Sequence, residues 1–197
     1  MPSIMFHELV GYKFAKKHKK YDTKLFYLGL MVPDAVNAYG FASKEKRWKV
    51  HFRDSNLDKW QENILKFYND NINNYEKNYL VGYLVHVLTD IICDRIYQNK
   101  IYLELSEKGY SKDTAYKYYE EGIKKFENSN INEPWWQYVK TNFQNATKIK
   151  INEIDEKMIE DWIEYILNNY NNRTYEKADF IGDWFVDEVL NKIEITL

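Results

Sequence analysis

The sequence has few residues of the kinds that interrupt helices or crosslink a chain. Its 197 residues include 7 glycines, 3 prolines and 1 cysteine. A single cysteine excludes an internal disulfide framework, and Cys93 lies in an apolar segment, where a thiol is typically a small buried hydrophobe. With so few breakers, helical periodicity dominates the chain and strand-like alternation is scarce.

Charge and hydropathy exclude several broad classes of protein. A formal net charge of −2 gives no global basic surface that would favour nucleic acid or an anionic membrane. The first residues lack a basic region followed by an apolar run and a cleavage site, so we expect no secretory signal. The apolar run 79–93 is interrupted by Gly82, His86, Thr89 and Asp90, and it is too short and polar for a membrane span. We therefore expect a soluble, cytoplasmic protein.

Helical segments fill most of the chain, and the longest has a middle that is apolar almost all round. Apolar spacing and turn signals predict helices near residues 4–17, 23–31, 57–70, 75–106, 111–128, 134–145, 155–170 and 175–193, with an irregular region at 34–55. Asp22 is expected to cap the second helix. An apolar helix of this kind is typical of the centre of a bundle. We therefore predict one all-α domain over residues 1–197, a multi-helix bundle around a long central helix.

The chain has only 4 histidines, and one of them, His86, lies inside the apolar helix four residues before Asp90. Residues at this spacing project about 40° apart on a helix, so both side chains can reach one metal ion. Asp94, one turn further on, can bind an extra ion or orient a ligand of the first. The alternative is that His86 is a buried histidine hydrogen-bonded to a carboxylate. For an isolated histidine and aspartate at this spacing, that structural role is favoured over metal binding. Burying two carboxylates without a cation is costly, however, and Arg95 projects about 100° away from Asp94.

Three further residues are candidates to complete a metal site. His7 lies on the apolar face of the first predicted helix. Asp34 directly follows Pro33, where the apolar second helix ends. His51 lies between two apolar neighbours in the sequence. Taken singly, each also fits an ordinary packed histidine or a capping aspartate. His18, among lysines, is expected to be a solvated surface residue.

The order of these features resembles the zinc-dependent phospholipase C family, an all-helical group related to the plant and fungal zinc nucleases. The matching motifs are Phe6-His7, the segment GLMVPD at 29–34, His51, and the segment VGYLVHVLTD at 81–90. Each motif is weak alone, and the four together, in order, are moderately specific. The resemblance covers about the first 100 residues.

The resemblance implies a ligand set, residue by residue. Asp34, His51, His86 and Asp90 match the four ligands of one zinc ion in that family. His7 matches a ligand of a second zinc ion, to which the counterpart of Asp90 bridges. The family's third zinc site uses later histidines, and no histidine follows residue 86 here, so that site is expected to be lost.

These matches imply a zinc-dependent phosphodiesterase or phospholipase C-like hydrolase. One or two zinc ions, or another divalent metal, would activate water for attack on a small phosphoester or a phospholipid headgroup. Asp34 is the expected catalytic residue, because it can orient or deprotonate that water. If the four ligands close around a four-coordinate ion, the site is instead structural.

Two alternatives stay open at this point. The first is a non-catalytic descendant that keeps one structural metal ion and binds a lipid or a protein through aromatic side chains such as Trp135 and Trp136. The second is an HD-type phosphohydrolase, which is also helical and metal-dependent. That class needs an adjacent His-Asp pair, and neither His51 nor His86 is followed by aspartate, so it ranks last.

Overall fold

Helices form nearly all of the regular structure of the chain. The computed structural model describes residues 3–196, and over that range it contains no β-strand beyond one isolated bridge between Ile151 and Ile154. The α-helices are α1 (Ile4–Lys17), α2 (Lys24–Met31), α3 (Lys44–Val50), α4 (Leu57–Asn71), α5 (Lys77–Ile96), α6 (Tyr102–Glu107), α7 (Lys112–Asn130), α8 (Pro134–Gln144), α9 (Glu156–Asn171) and α10 (Asp183–Thr196). Two 3-10 turns cover Lys19–Tyr21 and Val32–Asn37, and a π-helical turn, Tyr97–Ile101, joins α5 to α6. The all-α fold predicted from the sequence is therefore confirmed.

Helix α5 is the centre of the bundle and continues through the π-helical turn into α6. Every residue from Tyr79 to Cys93 is buried, and α1, α2, α4 and α10 pack around the helix. The chain turns after the end of α6 at Gly109, which has a φ of 87°. Glycine suits this position because it adopts the left-handed conformation without steric cost. The long central helix predicted from the sequence is confirmed. No helix within residues 3–196 combines the length and apolarity needed to cross a membrane.

Helices α2 and α5 approach each other closely because glycine stands where their backbones meet. A Cβ atom on Gly29 or on Gly82 would lie 2.2 Å from a backbone carbonyl oxygen of the other helix. A larger residue at either position would push the two helices apart. The crossing also builds the site described below, because the carbonyl of Leu30 on α2 accepts a hydrogen bond from the His86 side chain on α5.

The region 34–55, expected to be irregular, contains regular structure. A 3-10 turn covers Val32–Asn37, and α3 occupies Lys44–Val50 with Ser43 as its N-cap. Only Val50 among the 7 residues of α3 is buried. The helix therefore has no apolar stripe, and a search for helical periodicity misses it.

The last helix begins later than the sequence predicts. Residues 175–182 are not helical, and α10 begins at Asp183. Phe180 and Ile181 pack against Gly122 of α7, where an added Cβ atom would lie 2.5 Å from the Phe180 ring. This tertiary contact holds the segment out of a helix and overrides its local periodicity.

Asp22 has a different role from the helix cap that the sequence predicts. Thr23 is the N-cap of α2. The Asp22 carboxylate instead accepts hydrogen bonds from Lys16 at 2.7 Å, from Tyr27 at 2.8 Å and from Tyr138 at 2.8 Å. It therefore ties together α1, α2 and α8.

Candidate metal centre

The five predicted ligands come from four parts of the chain and meet in one buried cluster. His7 lies on α1, Asp34 on the 3-10 turn after α2, His51 at the C-cap of α3, and His86 and Asp90 on α5. Two overlapping groups of donor atoms, one from His7, Asp34 and His86 and one from His51, His86 and Asp90, each lie within 4.8 Å of one another. These five residues form what we call the donor cluster, and it could hold a metal ion.

The protonation of two imidazole rings is fixed by the backbone. Nδ1 of His51 lies 2.8 Å from the Arg47 carbonyl oxygen, and Nδ1 of His86 contacts the Leu30 carbonyl oxygen. A carbonyl oxygen only accepts, so each Nδ1 carries the proton and each Nε2 presents a lone pair in the neutral ring. The two Nε2 atoms lie 3.3 Å apart. Two lone pairs at this distance repel each other unless a cation lies between them, and this tautomer is the one that metal-binding histidines adopt.

The two carboxylates complete a four-donor arrangement. Nε2 of His51 lies 3.5 Å from Asp34 Oδ1 and 3.6 Å from Asp90 Oδ2, and Nε2 of His86 lies 3.9 Å from Asp90 Oδ2. Four donors bound tetrahedrally at zinc distances would lie about 3.3–3.4 Å from one another. His51, His86 and Asp90 are close to that spacing and fit one ion, and Asp34 Oδ1 lies beside them, 3.5 Å from His51 Nε2.

His7 lies against the opposite oxygen of Asp90. Its Nε2 atom is 3.4 Å from Asp90 Oδ1, and its ring stacks on the His86 ring with 3.7 Å between centroids. Within the described residues, no hydrogen bond satisfies either ring nitrogen of His7 or either oxygen of Asp90, although all four atoms are buried. Unpaired buried polar atoms of this kind are costly without a cation. The arrangement fits a carboxylate that bridges two ions.

The electrostatics of the cluster favour a bound cation. Burial opposes ionisation of Asp34 and Asp90, but the surrounding histidines hold the pKa of both carboxyl groups below the usual range. Burial lowers the pKa of His86 to about 3, so this ring is neutral. Burial also disfavours charge on His51, yet Asp34 and Asp90 raise the pKa of His51. The cluster therefore attracts positive charge to the position between His51 and the carboxylates.

A rigid turn holds His51 in place. The three consecutive carbonyls from Val50 to Phe52 accept side-chain hydrogen bonds, from the Tyr83 hydroxyl, from Trp60 Nε1 at 2.7 Å and from Asn63 Nδ2 at 3.2 Å, respectively. Phe52 has a φ of 56°, a conformation that is uncommon for residues other than glycine. This turn directs the His51 ring inward, and Arg53, two residues further along the chain, to another part of the site.

Asp94 lies outside both groups of donor atoms and pairs with a cation that the sequence did not indicate. Arg53 Nη2 donates to Asp94 Oδ2 at 2.7 Å. Burial raises the pKa of Asp94, while the Arg53 charge acts against that rise. Arg95, the nearest cation in sequence, points away and donates to Gln61 and Asp58. The predicted angle between Asp94 and Arg95 is consistent with this separation.

A cavity of about 1190 Å³ opens beside the donor cluster. Asp34 is the one member of the donor cluster that lines it, within the part of the chain described. Asp34 is 8 % exposed, whereas the other four members are at most 1 % exposed. Arg47, Arg53 and Arg173 also line the cavity. The site therefore combines a buried set of metal donors, one of which borders a cavity, with a cavity lining that contains three arginines and the acidic residues Asp94 and Glu120.

Sequence reasoning missed Arg47 and Arg53, because nothing in their local pattern separates them from surface arginines. The sequence feature that could have indicated a role for these two arginines is their position on either side of His51. Comparisons of the chain with models of known protein families, with characterised proteins and with solved structures find no match. The resemblance to the phospholipase C family therefore stays a prediction, and the donor cluster is a candidate metal centre on its geometry.

Proposed function

We propose that this protein is a metal-dependent phosphoester hydrolase with zinc at the donor cluster, similar in its chemistry to phospholipase C. The observation that carries the proposal is a set of imidazole and carboxylate donors beside a cavity lined with arginine. Such a donor set without a thiolate suits zinc and also accepts iron or manganese. A divalent ion, when bound, would polarise a phosphoryl oxygen and lower the pKa of a water molecule that it ligates.

Asp34 is the catalytic residue in this proposal. It lines the cavity, and its carboxyl group stays ionised because the pKa is held low by His51, His86 and His7 against the effect of burial. One of its oxygens lies against His51, and the other is available to orient an attacking water molecule and accept its proton. His51, His86 and Asp90 are buried, and their role is to hold the ion and exclude bulk water.

The lining of the cavity supports an anionic substrate. Guanidinium groups match phosphate oxygens in charge and geometry, and three arginines line the cavity. Aromatic side chains, among them Tyr102, Tyr116 and Trp162, form much of the remaining wall. A phosphoester with an organic group on one side fits this combination of charged and apolar surface.

A second candidate function is a non-catalytic protein that keeps one structural ion. The observation in its favour is the near-complete burial of His51, His86 and Asp90, because four protein ligands around zinc form a closed site without an open position. The aromatic surface expected at Trp135 and Trp136 is not exposed, because Trp136 is buried and Trp135 packs against the core. The exposed Tyr39 and Phe41 would instead offer an aromatic surface to a lipid or a protein.

Hydrolysis of bis(p-nitrophenyl) phosphate and p-nitrophenyl phosphocholine, measured with and without zinc, separates the two functions. The hydrolase proposal expects zinc-dependent turnover. Asp34→Asn is expected to lower turnover about 100-fold or more while the metal content stays near that of the wild type, because an amide oxygen and three other donors remain. Asp70→Asn makes the same chemical change on the exposed surface of α4 and is the matched control.

Two results would contradict the proposal, the first for catalysis itself and the second for the role of Asp34. Metal-loaded protein that hydrolyses neither ester favours the structural ion. Undiminished turnover in Asp34→Asn would show that Asp34 is not the catalytic residue, whatever the reaction.

A further inference from the structure

Two arginines flank His51 in the chain and line the same cavity as Asp34. The carbonyl of Arg47 accepts the Nδ1–H of His51, and Arg53 follows His51 by two residues. One short segment, 47–53, therefore carries a metal donor and both guanidinium groups. Both side chains and Asp34 line one cavity.

The guanidinium group of Arg53 is held in a fixed position. Asp94 accepts its Nη2–H at 2.7 Å, and the Trp60 ring lies 4.5 Å from its central carbon. The left-handed conformation of Phe52, with a φ of 56°, turns the chain so that Arg53 faces Asp94. Strained backbone of this kind persists where the surrounding structure fixes it, and it concentrates at functional sites. A guanidinium group has five N–H donors, and within the described residues that of Arg53 uses one of them, in the hydrogen bond to Asp94.

The charge of Arg47 has no carboxylate partner within residues 3–196. Its Nε–H donates to the Ala42 carbonyl at 3.1 Å, and its central carbon lies 4.0 Å from the Phe41 ring centroid. Arg173, the third arginine of the cavity, lies outside the segment 47–53 and pairs with Glu127 at 2.8 Å, as Arg53 pairs with Asp94. The cavity is therefore lined by the guanidinium group of Arg47, which has no carboxylate partner within the described residues, and by that of Arg53, which Asp94 holds in a fixed position.

We propose that Arg47 and Arg53 form an anion site that binds the phosphoryl oxygens of the substrate beside Asp34. The inference rests on the proposed function for the identity of the substrate. Charge-assisted hydrogen bonds from guanidinium to phosphate are among the stronger polar contacts in proteins. The site holds the phosphoryl group through side chains of this chain, separately from any bound ion, and Asp94 positions Arg53 for that task.

Titration calorimetry of inorganic phosphate into zinc-loaded protein tests the site without requiring turnover. Arg47→Gln and Arg53→Gln are each expected to raise the Kd for phosphate about 10-fold or more. Arg53→Lys keeps the charge but loses the planar fork, so an intermediate Kd is expected. Arg95→Gln is the matched control, because Arg95 pairs with Gln61 and Asp58 and does not line the cavity; its Kd should equal that of the wild type.

The folding of each variant is checked by its Tm and zinc content. Arg47 is half-buried and has no carboxylate partner within residues 3–196, so Arg47→Gln tests the site even where Arg53→Gln is unstable. Wild-type protein that does not bind phosphate, or an unchanged Kd in both glutamine variants, overturns the anion site.

Turnover distinguishes this inference from the proposed function. Arginine-dependent phosphate binding without hydrolysis of any phosphoester supports the anion site and removes the hydrolase. Hydrolysis with an unchanged KM and kcat in both glutamine variants supports the hydrolase and removes the anion site.

Discussion

The Nε2 atoms of His51 and His86 lie 3.3 Å apart, and each ring donates its Nδ1–H to a backbone carbonyl. When both rings are neutral, two lone pairs therefore face each other in the interior of the protein. Either a proton or a metal ion between the rings relieves their repulsion, and Asp34 and Asp90, at 3.5 and 3.6 Å from Nε2 of His51, share its charge. The case for a metal centre thus rests on the geometry of these rings, independently of the motifs that first suggested it.

Removal of one of these rings should abolish metal binding. His86→Ala is expected to weaken zinc affinity by more than about 100-fold, because even residues that only orient metal ligands are worth 10- to 100-fold. Elemental analysis after dialysis against trace zinc measures the effect. His18→Ala is the control, because His18 lies at the surface beside Glu194. Equal zinc content in His86→Ala and the wild type would contradict the assignment.

Metal removal should destabilise the fold. An ion that binds only the native state contributes about 2.7 kcal/mol when its free concentration is 100 times the Kd. We expect a chelator to lower the Tm of the wild type and to leave that of His86→Ala unchanged. Thermal unfolding followed by circular dichroism gives both values. An equal response of the two proteins would show that the chelator acts elsewhere.

The sequence indicated the five candidate ligands of the donor cluster better than it indicated the residues around them. His86 and Asp90 share a helix face, and that relation is local, so periodicity alone reveals it. The partner of Asp94 is Arg53, which lies 41 residues away in sequence, and only the tertiary fold brings the two together. The central helix was predictable because it is apolar all round, whereas α3 was missed because it has only one buried residue.

The close crossing of α2 and α5 should be sensitive to a single methyl group. Gly82→Ala places a Cβ atom 2.2 Å from a backbone oxygen, and we expect it to lower the free energy of unfolding by about 3 kcal/mol. It should also weaken zinc binding, since it moves the Leu30 carbonyl away from His86. Urea denaturation and elemental analysis measure the two effects.

Gly182→Ala is the control for that substitution, because its added Cβ would lie 3.9 Å from the nearest atom. We expect a change within about 0.5 kcal/mol. If Gly82→Ala behaved like Gly182→Ala, the helices would not be in contact as described.

Asp22 gives a prediction with a defined pH dependence. Partial burial tends to raise the pKa of Asp22, but hydrogen bonds from Lys16, Tyr27 and Tyr138 lower it overall. A carboxyl group whose folded pKa is lowered stabilises the fold above its unfolded pKa, and it loses that contribution as the pH falls through the folded pKa. Asp22→Asn should therefore cost about 1–2 kcal/mol at neutral pH, with the difference shrinking below a pH of about 4.

Urea denaturation of both proteins at neutral and acidic pH measures that difference. Asp70→Asn, on the exposed surface of α4, should show no comparable change. A difference between Asp22→Asn and the wild type that stays constant down to acidic pH would mean that the charge of Asp22 does not stabilise the junction of α1, α2 and α8.

Anomalous diffraction at the zinc absorption edge, from crystals of zinc-loaded protein, tests the central claim most directly, because it counts the ions and locates them together. We expect a peak about 2.0–2.2 Å from Nε2 of His51 and His86 and from oxygens of Asp34 and Asp90. A second peak between His7 and Asp90 would establish the bridging carboxylate. Fully zinc-loaded crystals with no peak at the donor cluster, or with peaks only at surface residues, would contradict the metal centre.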